Sequence, residues 1–214
     1  MIGDKLVITE YHRSGALKVM DALKGRWQFT DQPIAVTIAG ESGSGKSEIA
    51  HCLAKLAEVS DKKSIVLCQD DYFKLPPKTN HNKRLKDINW VGPGEVHLDI
   101  MDDHVIFLKC MKGKPLEKPL IYFDEDRIGS ETIMLEVFDI IIVEGTYTTL
   151  LENSDLRVFI DRNYKETKKY RLKRNRDPDI DFLEKVLEIE HMEIKKHKRI
   201  ADVVIDPPAT TEGI

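Results

Sequence analysis

Apolar residues along this chain fall into two kinds of pattern. Short, mainly apolar runs of five to seven residues mark Pro33–Ala39 (PIAVTIA), Ser64–Gln69 (SIVLCQ), Phe138–Val143 (FDIIIV), Leu156–Ile160 (LRVFI) and Ala201–Ile205 (ADVVI). Each is short enough for a strand and apolar enough to be covered on both faces. Between most of them the spacing becomes helical, over Glu48–Val59, Leu98–Met111, Tyr164–Arg174 and Ile180–His197. Ahead of the first strand, Ile8, Tyr11, Leu17, Met20, Leu23 and Trp27 recur at near-helical intervals until Thr30-Asp31-Gln32-Pro33 breaks the pattern. Strands alternating with helices predict an α/β fold, a doubly wound parallel sheet whose ligand lies at the C-terminal ends of the strands.

Two stretches depart from this alternation. From residue 74 to 98, Pro76, Pro77, Gly92, Pro93 and Gly94 interrupt a polar segment that carries Lys78, Lys83, Arg84 and Lys86. It reads as a long loop, functional or disordered. Leu120–Phe123 and Thr132–Val137, separated by Asp124–Glu131, read as a β-hairpin outside the parallel sheet. The expected organisation is an N-terminal helical extension, residues 1–32, and one domain over 33–214. The extension reads better as an addition to the core than as a dimer contact, and a homo-oligomer stays open.

Composition changes the picture by exclusion. The 33 basic and 37 acidic residues leave a net charge of -4, which does not suit a nucleic-acid-binding surface, so the expected ligand is small. Cys52, Cys68 and Cys110 are odd in number and far apart in apolar-patterned segments, as expected for buried free thiols in a reducing compartment. No apolar run approaches 18 residues, and the first residues lack the apolar core of a signal peptide. The expectation is a cytoplasmic protein with no membrane partner.

The chemistry enters at Gly40-Glu41-Ser42-Gly43-Ser44-Gly45-Lys46-Ser47, which reads G-x-x-x-x-G-K-S between a strand pattern and a helix pattern. That context makes it a phosphate-binding loop. Gly40, Ser42, Gly43, Ser44 and Gly45 let backbone N–H groups surround phosphates at the positive end of the following helix, Lys46 adds a point charge, and Ser47 offers a hydroxyl to Mg²⁺. Asp70 and Asp71 follow the second strand at the crevice edge, placed to accept a hydroxyl proton or to help hold the metal. Glu144 ends the third strand pattern and is a metal-side acid of the same kind. After the fourth, Lys168, Lys169, Arg171, Lys173, Arg174 and Arg176 crowd one helix. Such a basic helix can close over ATP, and Arg171 and Arg174, spaced i,i+3, share a face. Histidines show no ligand spacing, and Trp90 and Tyr122 suit either a core or a stacked base.

Together these pieces resemble the uridine kinase, phosphoribulokinase and nicotinamide riboside kinase group of P-loop small-molecule kinases. The resemblance runs from about Pro33 to Ile205 and rests on the phosphate loop, Gln69-Asp70-Asp71-Tyr72-Phe73, Glu144-Gly145, the Arg-rich helix and Ala201-Asp202-Val203-Val204-Ile205. It implies a five-stranded parallel core, a lid helix, a hairpin over the acceptor, and ATP and Mg²⁺ as cofactors. It also implies Asp70 as general base, Ser47 and Glu144 as metal residues beside it, and Arg171, Arg174 and Arg176 as lid arginines on the nucleotide. Asp71, Tyr72, Trp90, Tyr122 and Arg127 are the residues carried to the acceptor. The acceptor segment departs from the uridine kinase pattern Asn-Phe-Asp-x-Pro, because Asn89-Trp90-Val91-Gly92-Pro93 has Val91 at the Asp position. Asp87, Glu95 and Asp99 are the candidates to replace it. The hairpin segment Pro119–Arg127 keeps a Pro, an aromatic and an Arg but lacks the family's His. The expectation is an ATP-dependent kinase for a hydroxyl on a small molecule, with a nucleoside as leading acceptor. Nicotinamide riboside, a sugar phosphate, a pantothenate-like alcohol or a nucleotide-sensing regulatory module are the alternatives.

Overall fold

A computed structural model describes residues 6–27, 30, 32–111, 114–134, 137–168, 171 and 180–208. In chain order its main elements are α1 (Glu10–Trp27), β1 (Ile34–Gly40), α2 (Lys46–Val59), β2 (Ser64–Cys68), α3 (Pro77–Lys86), α4 (Leu98–Cys110), β3 (Leu116–Tyr122), β4 (Arg127–Ile133), β5 (Ile140–Glu144), β6 (Leu156–Ile160), α5 (Ile180–Ile194) and β7 (Val203–Ile205). Five strands form one parallel sheet in the order β2-β5-β1-β6-β7, and β3 and β4 pair apart from it. Every residue of β1 and β5 is buried, which is why both strands read as apolar runs without alternation.

Alternate residues of these strands supply two cores. Val36, Ile38, Ile140 and Ile142 face α1 and α2, with Ala16, Val19, Leu23, Ile49 and Leu53 all fully buried. Ala35, Ala39, Ile141 and Val143 face the opposite side, with Tyr72, Met101, Val105 and Tyr147. Helix α1 therefore shares the first core. Its Gly15 lies where a Cβ would stand 3.0 Å from Ile49 and 3.3 Å from Ile205, so the helix beds closely between α2 and β7. Antiparallel to β7, it brings Thr9, Tyr11 and His12 toward the C-terminal edge of the sheet, while Arg26 at its far end pairs with Asp202 at 3.4 Å.

The segment expected as a loop contains α3 and two short 3₁₀ turns, Ile88–Trp90 and Pro93–Glu95. Asn80 is the buried residue of α3, so the helix has no apolar stripe to announce it. Its start is capped from elsewhere: Asp126 accepts from the backbone N–H of Lys78 at 2.6 Å and of Thr79 at 3.2 Å, and from the Thr79 hydroxyl at 2.7 Å. The hairpin also differs from expectation. Its strands pair from Leu116↔Ile133 to Tyr122↔Arg127, so the connection is only Phe123–Asp126, turned by Asp126 at φ 48°. Strand β4, RIGSETI, is polar and half exposed, so most of it carries no strand signal in the sequence. Cys52 is buried, but Cys110 is exposed at the end of α4. No helix among the described residues is long and apolar enough to cross a membrane.

Candidate active site

The phosphate loop leaves β1 at Gly40 and enters α2 at Lys46. Gly45 has φ +104° and Gly43 φ +75°, left-handed conformations that favour glycine. A Cβ on Gly45 would also stand 2.7 Å from Nε2 of His12. The His12 Nδ1 accepts from the Thr9 backbone N–H at 3.1 Å, which leaves the neutral ring's proton on Nε2, facing the loop. Burial lowers the pKa of this ring, so the neutral form prevails. Among the described residues the N-terminus of α2 has no side-chain cap, the Ser44 hydroxyl is buried without a hydrogen-bond partner, and the Lys46 ammonium donates only to its own loop, at the Glu41 carbonyl, 3.0 Å. An anion with several acceptor oxygens fits this set of donors.

Beside the loop stand the oxygen donors. The Ser47 hydroxyl donates to Glu144 Oε1 at 3.1 Å. Pairing of β5 between β1 and β2 sets Glu144 opposite Ile38 and Cys68, two residues before Asp70. Asp70 is half-buried and makes no hydrogen bond to a described residue. Burial, then the Glu144 charge, push its pKa up to about 6 against the opposing pull of Lys46. Hydroxyl and carboxylate oxygens are the donors that Mg²⁺ takes alongside phosphate and water. No group of three or more His, Cys, Asp or Glu side chains forms a preassembled metal cluster among the described residues, and a phosphate-bound Mg²⁺ needs none.

Arg171 lies on the loop: its Cγ is 3.0 Å from where a Gly43 Cβ would stand. The guanidinium donates to the Tyr164 carbonyl and, at 2.8 Å, to the Thr167 hydroxyl, and pairs with Glu184 of α5 at 3.4 Å. Thr167 in turn donates to the Ser42 carbonyl at 2.8 Å. Arg174 and Arg176 lie outside the described residues. Sequence reading did not single out Glu41, which accepts from the Tyr164 N–H at 2.6 Å and meets His191 of α5 at 2.7 Å. It also passed over Arg162, buried with its Nη1 3.4 Å from the Ser44 carbonyl. These contacts span 118 to 150 residues of chain, so no local motif announces them.

On the acceptor side two of the expected residues lie buried in contacts within the fold. Asp71 is buried and engaged, receiving Lys118 of β3 at 2.9 Å and the Ile121 N–H at 3.3 Å. Lys118 also meets Glu131 across the hairpin at 2.7 Å. Tyr72 is fully buried, and its hydroxyl bonds His104 at 2.9 Å. Both tie the end of β2 to its surroundings and neither opens to the crevice. Trp90 is half-buried and donates to Asn80 at 2.8 Å, while Tyr122 and Arg127 stack at 3.9 Å at the last pair of the hairpin. Of the candidates to replace Val91's missing carboxylate, Glu95 is fully buried on Arg84, Asn80 and the Gly92 N–H. Asp87 caps Asn89, and Asp99 is 79% exposed.

The sequence model of the Phosphoribulokinase / Uridine kinase family matches residues 35–199. A uridine kinase of Lactobacillus helveticus is 31% identical over 177 residues, 82% of this chain and 75% of that protein. One from Geobacillus kaustophilus is 30% identical over 176 residues, 82% and 74%. Among solved structures, a Bacillus stearothermophilus protein described as a possible uridine kinase superposes with a TM-score of 0.61 at 18% identity, covering 87% of this chain and 96% of that one. Phosphoribulokinase from Rhodobacter sphaeroides gives 0.64 at 9% identity, covering 86% and 74%.

Proposed function

This chain belongs to the phosphoribulokinase/uridine kinase family and is an ATP- and Mg²⁺-dependent small-molecule kinase; on that premise we propose that it phosphorylates a hydroxyl of a nucleoside. The observation that carries the reading is the juxtaposition at the crevice of Asp70, a carboxylate without a hydrogen-bond partner among the described residues, with the Ser47–Glu144 pair and Lys46.

Bound Mg·ATP supplies the transferable phosphoryl group and the metal charge that steadies it. The residues that would hold it are the amides at the head of α2, Gly40, Ser42, Gly43, Ser44, Gly45 and Lys46 for phosphates, with Ser47, Glu144 and Asp70 for the metal. Asp70 takes the proton of the attacking hydroxyl on its carboxylate, and its raised pKa makes that carboxylate a stronger base than an exposed one. Arg171, whose aliphatic Cγ lies against Gly43, is assigned to bring positive charge to the phosphates during transfer, and Arg174 and Arg176 are assigned to the same lid. Trp90, Tyr122 and Arg127 are assigned to the acceptor wall. A nucleoside is favoured because the relatives matched over most of the chain are named uridine kinases. Free cysteines and dependence on ATP favour a cytoplasmic setting.

The test is ADP release from Mg·ATP across uridine, cytidine, other nucleosides, nicotinamide riboside, pantothenate and ribulose 5-phosphate, with mass spectrometry of the products. A phosphorylated nucleoside upholds the assignment. Transfer only to one of the other acceptors replaces the nucleoside and keeps the kinase.

A further inference from the structure

Several carboxylates stand around the phosphate loop, the end of β2 and α3, and most are spent. Glu95 has both oxygens engaged, Asp71 serves Lys118 and Ile121, and Glu41 serves Tyr164 and His191. Glu190 of α5 differs. Its side chain is only 12% exposed, yet among the described residues its single partner is Arg84 of α3, through Oε1 at the long distance of 3.4 Å. No described residue donates to the second oxygen. A carboxylate this poorly solvated is costly unless a donor completes it.

Its position is fixed by its neighbours. His191, the next residue, contacts Glu41 in the phosphate loop, and Lys46 donates to the carbonyl of that same Glu41. One step back around the helix, Glu190 turns into the seam between the loop and α3. Burial, with the charges of Glu95 and Glu41, raises its pKa, while Arg84 and Lys46 oppose the rise. The Tyr147 hydroxyl is buried without a hydrogen-bond partner among the described residues, and Glu190, Glu95 and Arg84 act on its ionisation, so it belongs to the same polar pocket. The charges of Arg84, Glu95 and Glu190 sum to one negative, which disfavours an anionic acceptor.

We infer that Glu190 is a specificity-determining residue that accepts hydrogen bonds from acceptor hydroxyls next to the one phosphorylated, selecting an uncharged polyhydroxy acceptor over a sugar phosphate. This rests on the kinase reading above.

The test compares wild type with Glu190→Gln on uridine, 2′-deoxyuridine, 3′-deoxyuridine and ribulose 5-phosphate, with ATP affinity read separately by calorimetry. If the panel returns another neutral acceptor, that compound and its deoxy analogues replace the uridine series. Wild type is expected to lose about 10- to 100-fold in kcat/KM when the neighbouring hydroxyl is removed, the value of a hydrogen bond to a charged group. In Glu190→Gln that penalty shrinks to a few-fold, and the loss on the parent acceptor appears mainly in KM, while calorimetry still detects ATP binding. An unchanged penalty in the variant overturns the inference, as does a wild type that prefers ribulose 5-phosphate; both leave the kinase standing. Transfer to no hydroxyl compound overturns the kinase reading, and the inference falls with it.

Discussion

Replacing Asp70 by Asn should abolish phosphoryl transfer and at the same time stabilise the ligand-free protein. In the fold its pKa rises from 3.8 to about 6. The unfolded chain gives up this proton near its ordinary pKa, whereas the folded protein holds it until about pH 6. Stability therefore falls as the pH rises from about 4 to 6, and stays at the lower level above that window. At pH 7 the full difference is worth about 3 kcal/mol, and partial exposure of the carboxylate brings the expected net cost to about 1–3 kcal/mol. Asn cannot ionise and escapes it. For a chain of this size the gain is a melting temperature higher by roughly 3–9 °C at pH 7. The assay is calorimetric melting of both proteins in EDTA from pH 4 to pH 8. The advantage of the variant should open between pH 4 and 6 and then level off. Equal melting at pH 7, or a gain of the same size at pH 4, would refute the assignment of Asp70 as a carboxylate held under strain for proton transfer.

Three further substitutions probe the frame around it. Asp71→Ala leaves Lys118 buried with Glu131 as its remaining carboxylate partner; the expected cost is about 3 kcal/mol, read as a lower urea midpoint, and an unchanged midpoint would return Asp71 to the crevice. Gly45→Ala places a methyl group 2.7 Å from His12 Nε2 at φ +104°, and should weaken ATP binding by more than tenfold in calorimetry, where wild-type affinity would contradict the close approach. Asp126→Ala uncaps α3 at a cost of about 1 kcal/mol. Hydrogen exchange at the amides of Lys78 and Thr79 should accelerate, and unchanged exchange would show that the hairpin does not hold that helix.

What the sequence made legible follows from where each element gets its stability. Strands β1 and β5 are buried along their whole length, so Ile34–Ala39, Thr37 apart, and Ile140–Val143 had to be apolar and could be read directly. The phosphate loop is equally local, since its glycines, lysine and serine act within eight residues. Helix α3 is the opposite case. Its stabilising contacts come from Asp126, 48 residues away by the Lys78 bond, and from Glu95 through Arg84, so its own sequence shows only prolines and charge. Adjacent residues Asp70 and Asp71 illustrate the same limit. Both carboxylates follow a strand, yet the Lys118 ammonium that claims one of them lies 47 residues downstream. Glu41, His12 and Glu190 take their places through contacts between α1, α5 and the loop, and nothing next to them in the chain marks those contacts.

The central claim is acceptor-dependent phosphoryl transfer at the loop with Asp70 as base. A rapid-quench single turnover of Mg·ATP with uridine, run on wild type and Asp70→Asn after both are shown to bind ATP, tests it most directly. Wild type should form uridine monophosphate and ADP together, and the variant neither. ADP formed at the same rate with and without uridine, or product formed at the wild-type rate by Asp70→Asn, would contradict it.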